Sequence, residues 1–133
     1  MKPQRILIAD DEQHIVQVLS LTLTRGGYDV VTADSGDAAW QAVLQHDPDL
    51  IITDESMPGM TGTQLAQRVH KNEQYGQGKT TPVLIVTARH IAPTDGPSAN
   101  ITGILPKPFS PRQVLAHVAD LVGPARASEE NLS

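Results

Sequence analysis

Short apolar runs rich in β-branched residues alternate along this chain with segments of helical periodicity, and this alternation restricts its fold more than any other feature. Strands that alternate with helices in this way form a parallel sheet with helices packed on both faces. The sequence therefore predicts an α/β fold with three layers and a five-stranded parallel sheet. The predicted strands cover residues 5–9, 29–33, 49–53, 82–87 and 103–106.

Helix signals follow the first three predicted strands and the last one. Ser110 is predicted to cap the last helix, with Pro111 in the first turn and Gln113 completing a capping box. The predicted helices lie within residues 12–27, 35–48, 61–72 and 110–122. The last of them carries an apolar stripe that we assign to the core, formed by Val114, Leu115, Val118, Leu121 and Val122.

The segment between the fourth and fifth strands differs from the other connections. Pro93, Gly96 and Pro97 stand where a regular helix is expected, and proline removes a backbone donor and clashes with the preceding turn. A short or broken helix is therefore predicted there. Residues 123–133 lack large apolar side chains apart from Leu132, which predicts a disordered tail or the start of a linker.

The length of 133 residues suits a single domain, which we place at residues 1–122. The chain has no cysteine, which excludes disulfides and thiolate metal sites. Its net charge of -5 disfavours direct nucleic-acid binding by this segment. No apolar run is long enough for a signal peptide or a membrane span, so we predict a soluble cytoplasmic protein without membrane contact.

Polar residues mark the ends of four predicted strands. The first strand leads into Asp10 and Asp11, and the third into Asp54. The fourth ends with Thr87, and Lys107 follows the fifth. Each residue alone has an ordinary explanation as a helix cap, a β-former or a surface charge. Because ligands of open α/β folds bind at the carboxyl ends of the strands, their coincidence at one edge predicts a functional site.

Three carboxylates at one edge of a sheet repel one another unless a cation compensates their charge. Mg²⁺ suits such a site, because it takes oxygen ligands and commonly joins one or two carboxylates to a phosphate. Lys107 adds a point charge for a phosphate oxygen, and the Thr87 hydroxyl adds a neutral donor. Since carboxylates also serve as covalent phosphate acceptors, we interpret Asp54 as the acceptor of a phosphoryl group.

Four motifs stand in a specific order: IADDE at residues 8–12, DLIITDESMPGMTG at 49–62, VTA at 86–88 and KPF at 107–109. Together they resemble the receiver domain of two-component response regulators. The resemblance covers about residues 4–122 and implies a flavodoxin-like sandwich with strand order 2-1-3-4-5. It implies phosphorylation by a sensor histidine kinase or a histidine phosphotransfer protein, and a downstream effector that the sequence does not identify. Weak homodimerisation is compatible with it.

The resemblance also implies roles for the residues at the predicted edge. Asp54 would be the phosphoacceptor, and Thr87 and Lys107 would contact the phosphoryl oxygens. A cis peptide bond between Lys107 and Pro108 would orient the lysine toward the acceptor. The domain would catalyse only its own phosphorylation and dephosphorylation. The implied Mg²⁺ ligands are Asp10, Asp11, Asp54 and the backbone carbonyl of Ser56.

Three other functions are open alternatives. Haloacid-dehalogenase-type phosphotransferases use an aspartyl phosphate with Mg²⁺, but typically have a second Asp two residues after the nucleophile, where this chain has Ser56. A receiver-like module that binds partners without phosphorylation usually lacks the acidic pair, the acceptor or the lysine, and all of these are present. A flavin-binding protein fits the fold, but the sequence has no convincing phosphate-cradling loop.

Ile104 departs from the family pattern, which commonly has an aromatic residue three positions before the lysine. Its stiff β-branched side chain cannot act as an aromatic rotamer switch. We therefore expect the phosphorylation signal to pass through residues 88–100, where proline and glycine weaken helix formation. This segment is predicted to be the most mobile part of the fold outside the tail and the loop at 73–80.

Overall fold

The structure is a computed structural model that describes residues 3–74, 80–88 and 100–124. Within these ranges the strands form one parallel sheet of order β2-β1-β3-β4-β5. The predicted α/β class and strand order are confirmed. The elements in chain order are β1 (Arg5–Ala9), α1 (Gln13–Arg25), β2 (Asp29–Ala33), α2 (Gly36–His46), β3 (Leu50–Thr53), α3 (Gly62–Gln74), β4 (Val83–Thr87), β5 (Ile101–Pro106) and α4 (Pro111–Val122).

Side chains alternate between the two faces of the sheet, so each face has its own hydrophobic core. On one face, Ile6 and Ile8 of β1 belong to the same buried cluster as Leu19 of α1. On the other face, Leu7 of β1 shares a cluster with Leu65 of α3. Burying one such side chain contributes about 1.5–3 kcal/mol. A slip of one residue would move each set to the wrong face, so the two cores fix the strand register.

Helix α4 follows its sequence signals closely. The Ser110 hydroxyl accepts a hydrogen bond from the Gln113 N–H at 3.1 Å, and the Gln113 side chain accepts one from the Ser110 N–H at 2.8 Å. The predicted capping box is thus confirmed. Val114 and Val118 are fully buried, and the other three residues of the predicted stripe pack against the same core.

Strand β5 begins earlier than predicted. It starts at Ile101 rather than at residue 103, and a register shift interrupts its pairing with β4 near Val83. Because β5 is an edge strand, Thr102 is exposed and the run is not uniformly apolar. This pattern concealed the start of the strand.

Several predictions fall outside the described residues. The short or broken helix between β4 and β5 concerns residues 89–99, and the mobility expected for residues 88–100 depends on the same segment. Most of the predicted loop lies at 75–79, and most of the tail at 125–133. Among the helices that the structure describes, none has the length and apolar character that a membrane span requires.

Candidate functional site at the carboxyl edge of the sheet

Backbone hydrogen bonds bring the predicted site residues to one edge of the sheet. The N–H of Asp54 donates to the carbonyl of Ala9 at 2.8 Å, which places Asp54 beside the end of β1. The N–H of Asp10 donates to the last carbonyl of β2 at 3.1 Å. The N–H of Lys107 donates to the Thr87 carbonyl at 2.9 Å. Each bond extends a strand ladder by one residue, so the predicted convergence of these side chains is observed.

Three carboxylates form a compact cluster at this edge. Oxygen atoms of Asp10, Glu12 and Asp54 all lie within 4.8 Å of one another. Asp10 and Asp54 are 2% and 6% exposed, whereas Glu12 is exposed. Glu12 was not singled out from the sequence, although it directly follows the two aspartates that were. Asp11 is exposed and is not a member of the cluster, so its role as a metal ligand stays a prediction.

Lys107 supplies a positive charge to this cluster. Its Nζ lies 3.0 Å from Asp10 Oδ2, 3.0 Å from Glu12 Oε1 and 3.6 Å from Asp54 Oδ1. Burial lowers the pKa of Lys107, but the hydrogen bonds to Asp10 and Glu12 and the charges of Asp10 and Asp54 together outweigh burial and leave the pKa above its ordinary value. The hydrogen bond to Lys107 also lowers the pKa of Glu12. The lysine is therefore firmly charged.

Burial and neighbouring charges act against each other on the pKa of Asp54. Burial raises the pKa of its carboxyl, Lys107 lowers it, and the charges of Asp10 and Asp11 raise it again. The net result is a pKa above the ordinary value. A buried carboxylate with acidic neighbours is stabilised by any additional cation that reaches it. An arriving cation would therefore favour the ionised form of Asp54.

The other predicted site residues lie in the loop after β3, at the end of β4 and directly after β5. Thr87 is buried at the end of β4, and its backbone carbonyl is bonded to Lys107. Ser56 is exposed in the loop that follows β3. The peptide bond between Lys107 and Pro108 is cis, as predicted. Ile104, which replaces the aromatic residue of the family pattern, is 50% exposed on β5.

The loop after Asp54 packs closely against the starts of α2 and α3, because the glycines there leave no room for a side chain. A Cβ atom on Gly36 would lie 2.2 Å from Met60 Cβ, and one on Gly62 would lie 2.6 Å from the Asp54 carbonyl oxygen. Gly59 has a φ of 83°, a conformation that glycine adopts readily. The predicted tight turn is therefore present, and it sets the course of the backbone beside Asp54.

A model of the response regulator receiver domain family matches residues 6–119 of the sequence. The chain belongs to this family. It is 34% identical over 117 residues to the alkaline phosphatase synthesis transcriptional regulatory protein PhoP of Bacillus subtilis, covering 86% of this chain and 47% of that protein. It is 33% identical over 127 residues to the transcriptional regulatory protein ResD of the same species, covering 94% and 50%. The receiver chain thus spans about half the length of these curated relatives.

Solved receiver structures share its fold. The chemotaxis response regulator CheY4 of Vibrio cholerae is 34% identical with a TM-score of 0.78, over 90% of this chain and 98% of that one. The response regulator TrrA of Thermotoga maritima, solved in complex with Mg²⁺ and BeF, is 28% identical with a TM-score of 0.78, over 90% and 99%. The CheY-like, flavodoxin-like architecture implied by the sequence motifs is confirmed.

Proposed function

We propose that this receiver domain accepts a phosphoryl group on Asp54 from a sensor histidine kinase or a histidine phosphotransfer protein. The observation that carries the proposal is the position of Asp54 at the end of β3. The residue is 6% exposed, and its carboxylate shares a cluster with two other acids and lies 3.6 Å from the ammonium of Lys107. Carboxylate, neighbouring acids and lysine are the groups that a metal-assisted phosphoryl transfer needs in one place.

The donor set of the site fits Mg²⁺. Mg²⁺ prefers oxygen ligands, and the clustered carboxylates supply them from the ends of β1 and β3. When bound, the ion supplies positive charge that offsets the repulsion of the carboxylates and the charge of the phosphoryl group. The Thermotoga receiver that was solved with Mg²⁺ and BeF supports a divalent ion here. The proposed ligands are Asp10, Asp11, Asp54 and the backbone carbonyl of Ser56.

In the proposed reaction, a carboxylate oxygen of Asp54 bonds to phosphorus as the bond from phosphorus to the donor histidine nitrogen breaks. The electron pair of the broken bond stays on the imidazole of the donor. Asp54 attacks as a carboxylate, and the neighbouring Lys107 favours that form by lowering the pKa against the effect of burial. Lys107 and Thr87 would then contact the phosphoryl oxygens. The reaction is self-modification rather than turnover of a separate substrate.

Phosphorylation would act by favouring one of two arrangements of the domain and so changing its contacts with a downstream effector. We place the receiver at residues 1–122 and a linker or tail at 123–133, in the cytoplasm. PhoP and ResD are named transcriptional regulatory proteins, so a longer regulator with this receiver as one part is the arrangement we favour. Since Ile104 offers no aromatic ring, the signal is proposed to pass through residues 88–100.

Intact-mass spectrometry with a small phosphodonor such as acetyl phosphate tests the proposal. We expect one labile phosphate on the wild-type chain in Mg²⁺, and none after chelation with EDTA. Asp54→Asn should remove the label. Asp34→Asn is the matched control, because Asp34 is an exposed aspartate at the end of β2 and should leave labelling intact. Unchanged labelling of the Asp54→Asn protein would show that the acceptor has been misassigned.

A further inference from the structure

The ammonium of Lys107 is held closer to two other acids than to the proposed acceptor. It donates hydrogen bonds of 3.0 Å to Asp10 Oδ2 and of 3.0 Å to Glu12 Oε1. Its distance to Asp54 Oδ1 is 3.6 Å, which is an ion pair rather than a close hydrogen bond. Asp10 and Glu12 are thus the closer partners of the lysine, and a phosphoryl group on Asp54 would compete with them for its ammonium.

Glu12 is free to hold the lysine because its carboxylate does not cap its own helix. Glu12 occupies the N-cap position of α1, yet its side chain makes no cap hydrogen bond. Short side chains such as Ser, Thr, Asp and Asn serve best as caps, since they reach the N–H groups of the first turn. The N–H of Glu12 donates to Asp10 Oδ1 at 2.9 Å, which fixes the backbone between β1 and α1. From this fixed backbone the side chain of Glu12, which is longer than that of aspartate, reaches Lys107 and accepts its hydrogen bond.

The two acids that hold the lysine differ in burial. The side chain of Asp10 is 3% exposed, whereas that of Glu12 is 49% exposed. Water can solvate Glu12 once the lysine leaves it, but it cannot solvate Asp10 in the same way. The contact with Glu12 is therefore the one that can break when the lysine moves, while the contact with Asp10 can persist.

We propose that Glu12 is a positioning residue that holds Lys107 away from Asp54 in the unphosphorylated receiver, and that it releases the lysine when a phosphoryl group arrives. This inference rests on the proposed function of Asp54. Glu12 then opposes the phosphorylated arrangement and sets how readily the domain adopts it. Because the pair of Glu12 and Lys107 is partly exposed, removing the Glu12 charge should favour the phosphorylated arrangement by about two- to five-fold.

The contact itself is tested in the metal-free chain by NMR of the lysine side-chain ammonium groups. A hydrogen-bonded ammonium exchanges its protons slowly, so Lys107 should give a protected ¹⁵N signal, assigned by its loss in Lys107→Met. We expect the signal to weaken or shift in Glu12→Gln and to persist in Asp34→Asn, which removes a charge from the same edge of the sheet. An unchanged Lys107 signal in Glu12→Gln would overturn the inference.

The consequence is tested by titrating the receiver with beryllofluoride, a phosphoryl mimic, at saturating Mg²⁺. Glu12→Gln should bind it about two- to five-fold more tightly than the wild type, and Asp34→Asn should not. In a Lys107→Met background the gain should disappear, since Glu12 acts through the lysine. A gain that persists there, or no gain at all, would refute the positioning role while leaving Asp54 as acceptor. If the wild type binds no beryllofluoride, the proposed function has failed and the inference falls with it.

Discussion

At the scale of single residues, Asp54 is the carboxylate on which burial and acidic neighbours oppose the effect of Lys107. Asp54 is buried beside Asp10 and is relieved mainly by Lys107. A carboxyl group whose pKa is raised by folding destabilises the folded state wherever it is ionised. The raised pKa therefore lowers the stability of the metal-free protein when Asp54 is ionised, and a bound cation would offset this loss.

Asp54→Asn should stabilise the metal-free receiver at pH 7. The pKa of Asp54 is higher in the folded than in the unfolded state, so the wild-type free energy of unfolding falls as the pH rises from the ordinary value of 3.8 through the raised value. Above that pH range the wild type has lost this part of its free energy of unfolding completely. The asparagine variant does not lose it, because its side chain does not ionise. Urea denaturation in EDTA at pH 7 and near pH 3 measures the difference in the free energy of unfolding between the two proteins. A variant that is less stable than the wild type at pH 7 would contradict the assignment of the raised pKa.

At the scale of elements, the loop from β3 to α3 positions Asp54 through close backbone packing. Gly62 begins α3 directly against the Asp54 carbonyl, and its N–H donates to the Glu55 carbonyl at 3.0 Å. The Glu55 carboxylate in turn accepts a hydrogen bond from the Thr63 N–H at 2.7 Å. The first turn of α3 and the end of β3 are therefore one connected unit.

Gly62→Ala should disturb this unit. A Cβ atom there would lie 2.6 Å from the Asp54 carbonyl oxygen, so the backbone must shift, at a cost of about 1–3 kcal/mol in stability. The same shift should reduce phosphorylation of Asp54 by acetyl phosphate. Gly103→Ala is the control, because its Cβ would lie 3.4 Å from Leu84 Cδ1, an ordinary contact. Equal stability losses in the two variants, measured by urea denaturation, would argue against a special role for the Gly62 contact.

Local signals predicted the elements well where they depend only on neighbouring residues. The capping box of Ser110 and Gln113 was readable because its two partners lie three residues apart. The contact of Glu12 with Lys107 could not be predicted from the sequence, because it joins residues separated by 95 positions and depends on how two strand ends are placed. The start of β5 was missed because an edge strand tolerates the exposed Thr102.

At the scale of the whole molecule, the parallel sheet explains why the site was predictable at all. The carboxyl ends of all strands of a parallel sheet lie at the same edge, so residues that follow different strands come close together even when they are far apart in sequence. The alternation of strands and helices predicted the sheet, but the strand order came from the family motifs. Sequence could place Asp54, Thr87 and Lys107 at one edge, whereas the distances among the carboxylates required the three-dimensional structure.

The most direct test of the central claim is to locate the phosphoryl group on the chain. After phosphorylation with acetyl phosphate and Mg²⁺, borohydride reduces an aspartyl phosphate to homoserine, which tandem mass spectrometry of peptides assigns to a single position. We predict homoserine at position 54 in the wild type and in Asp34→Asn, and its absence without Mg²⁺. Homoserine at position 10 or 11, a phosphate retained on Ser56, or no modified peptide at all would contradict Asp54 as the phosphoacceptor.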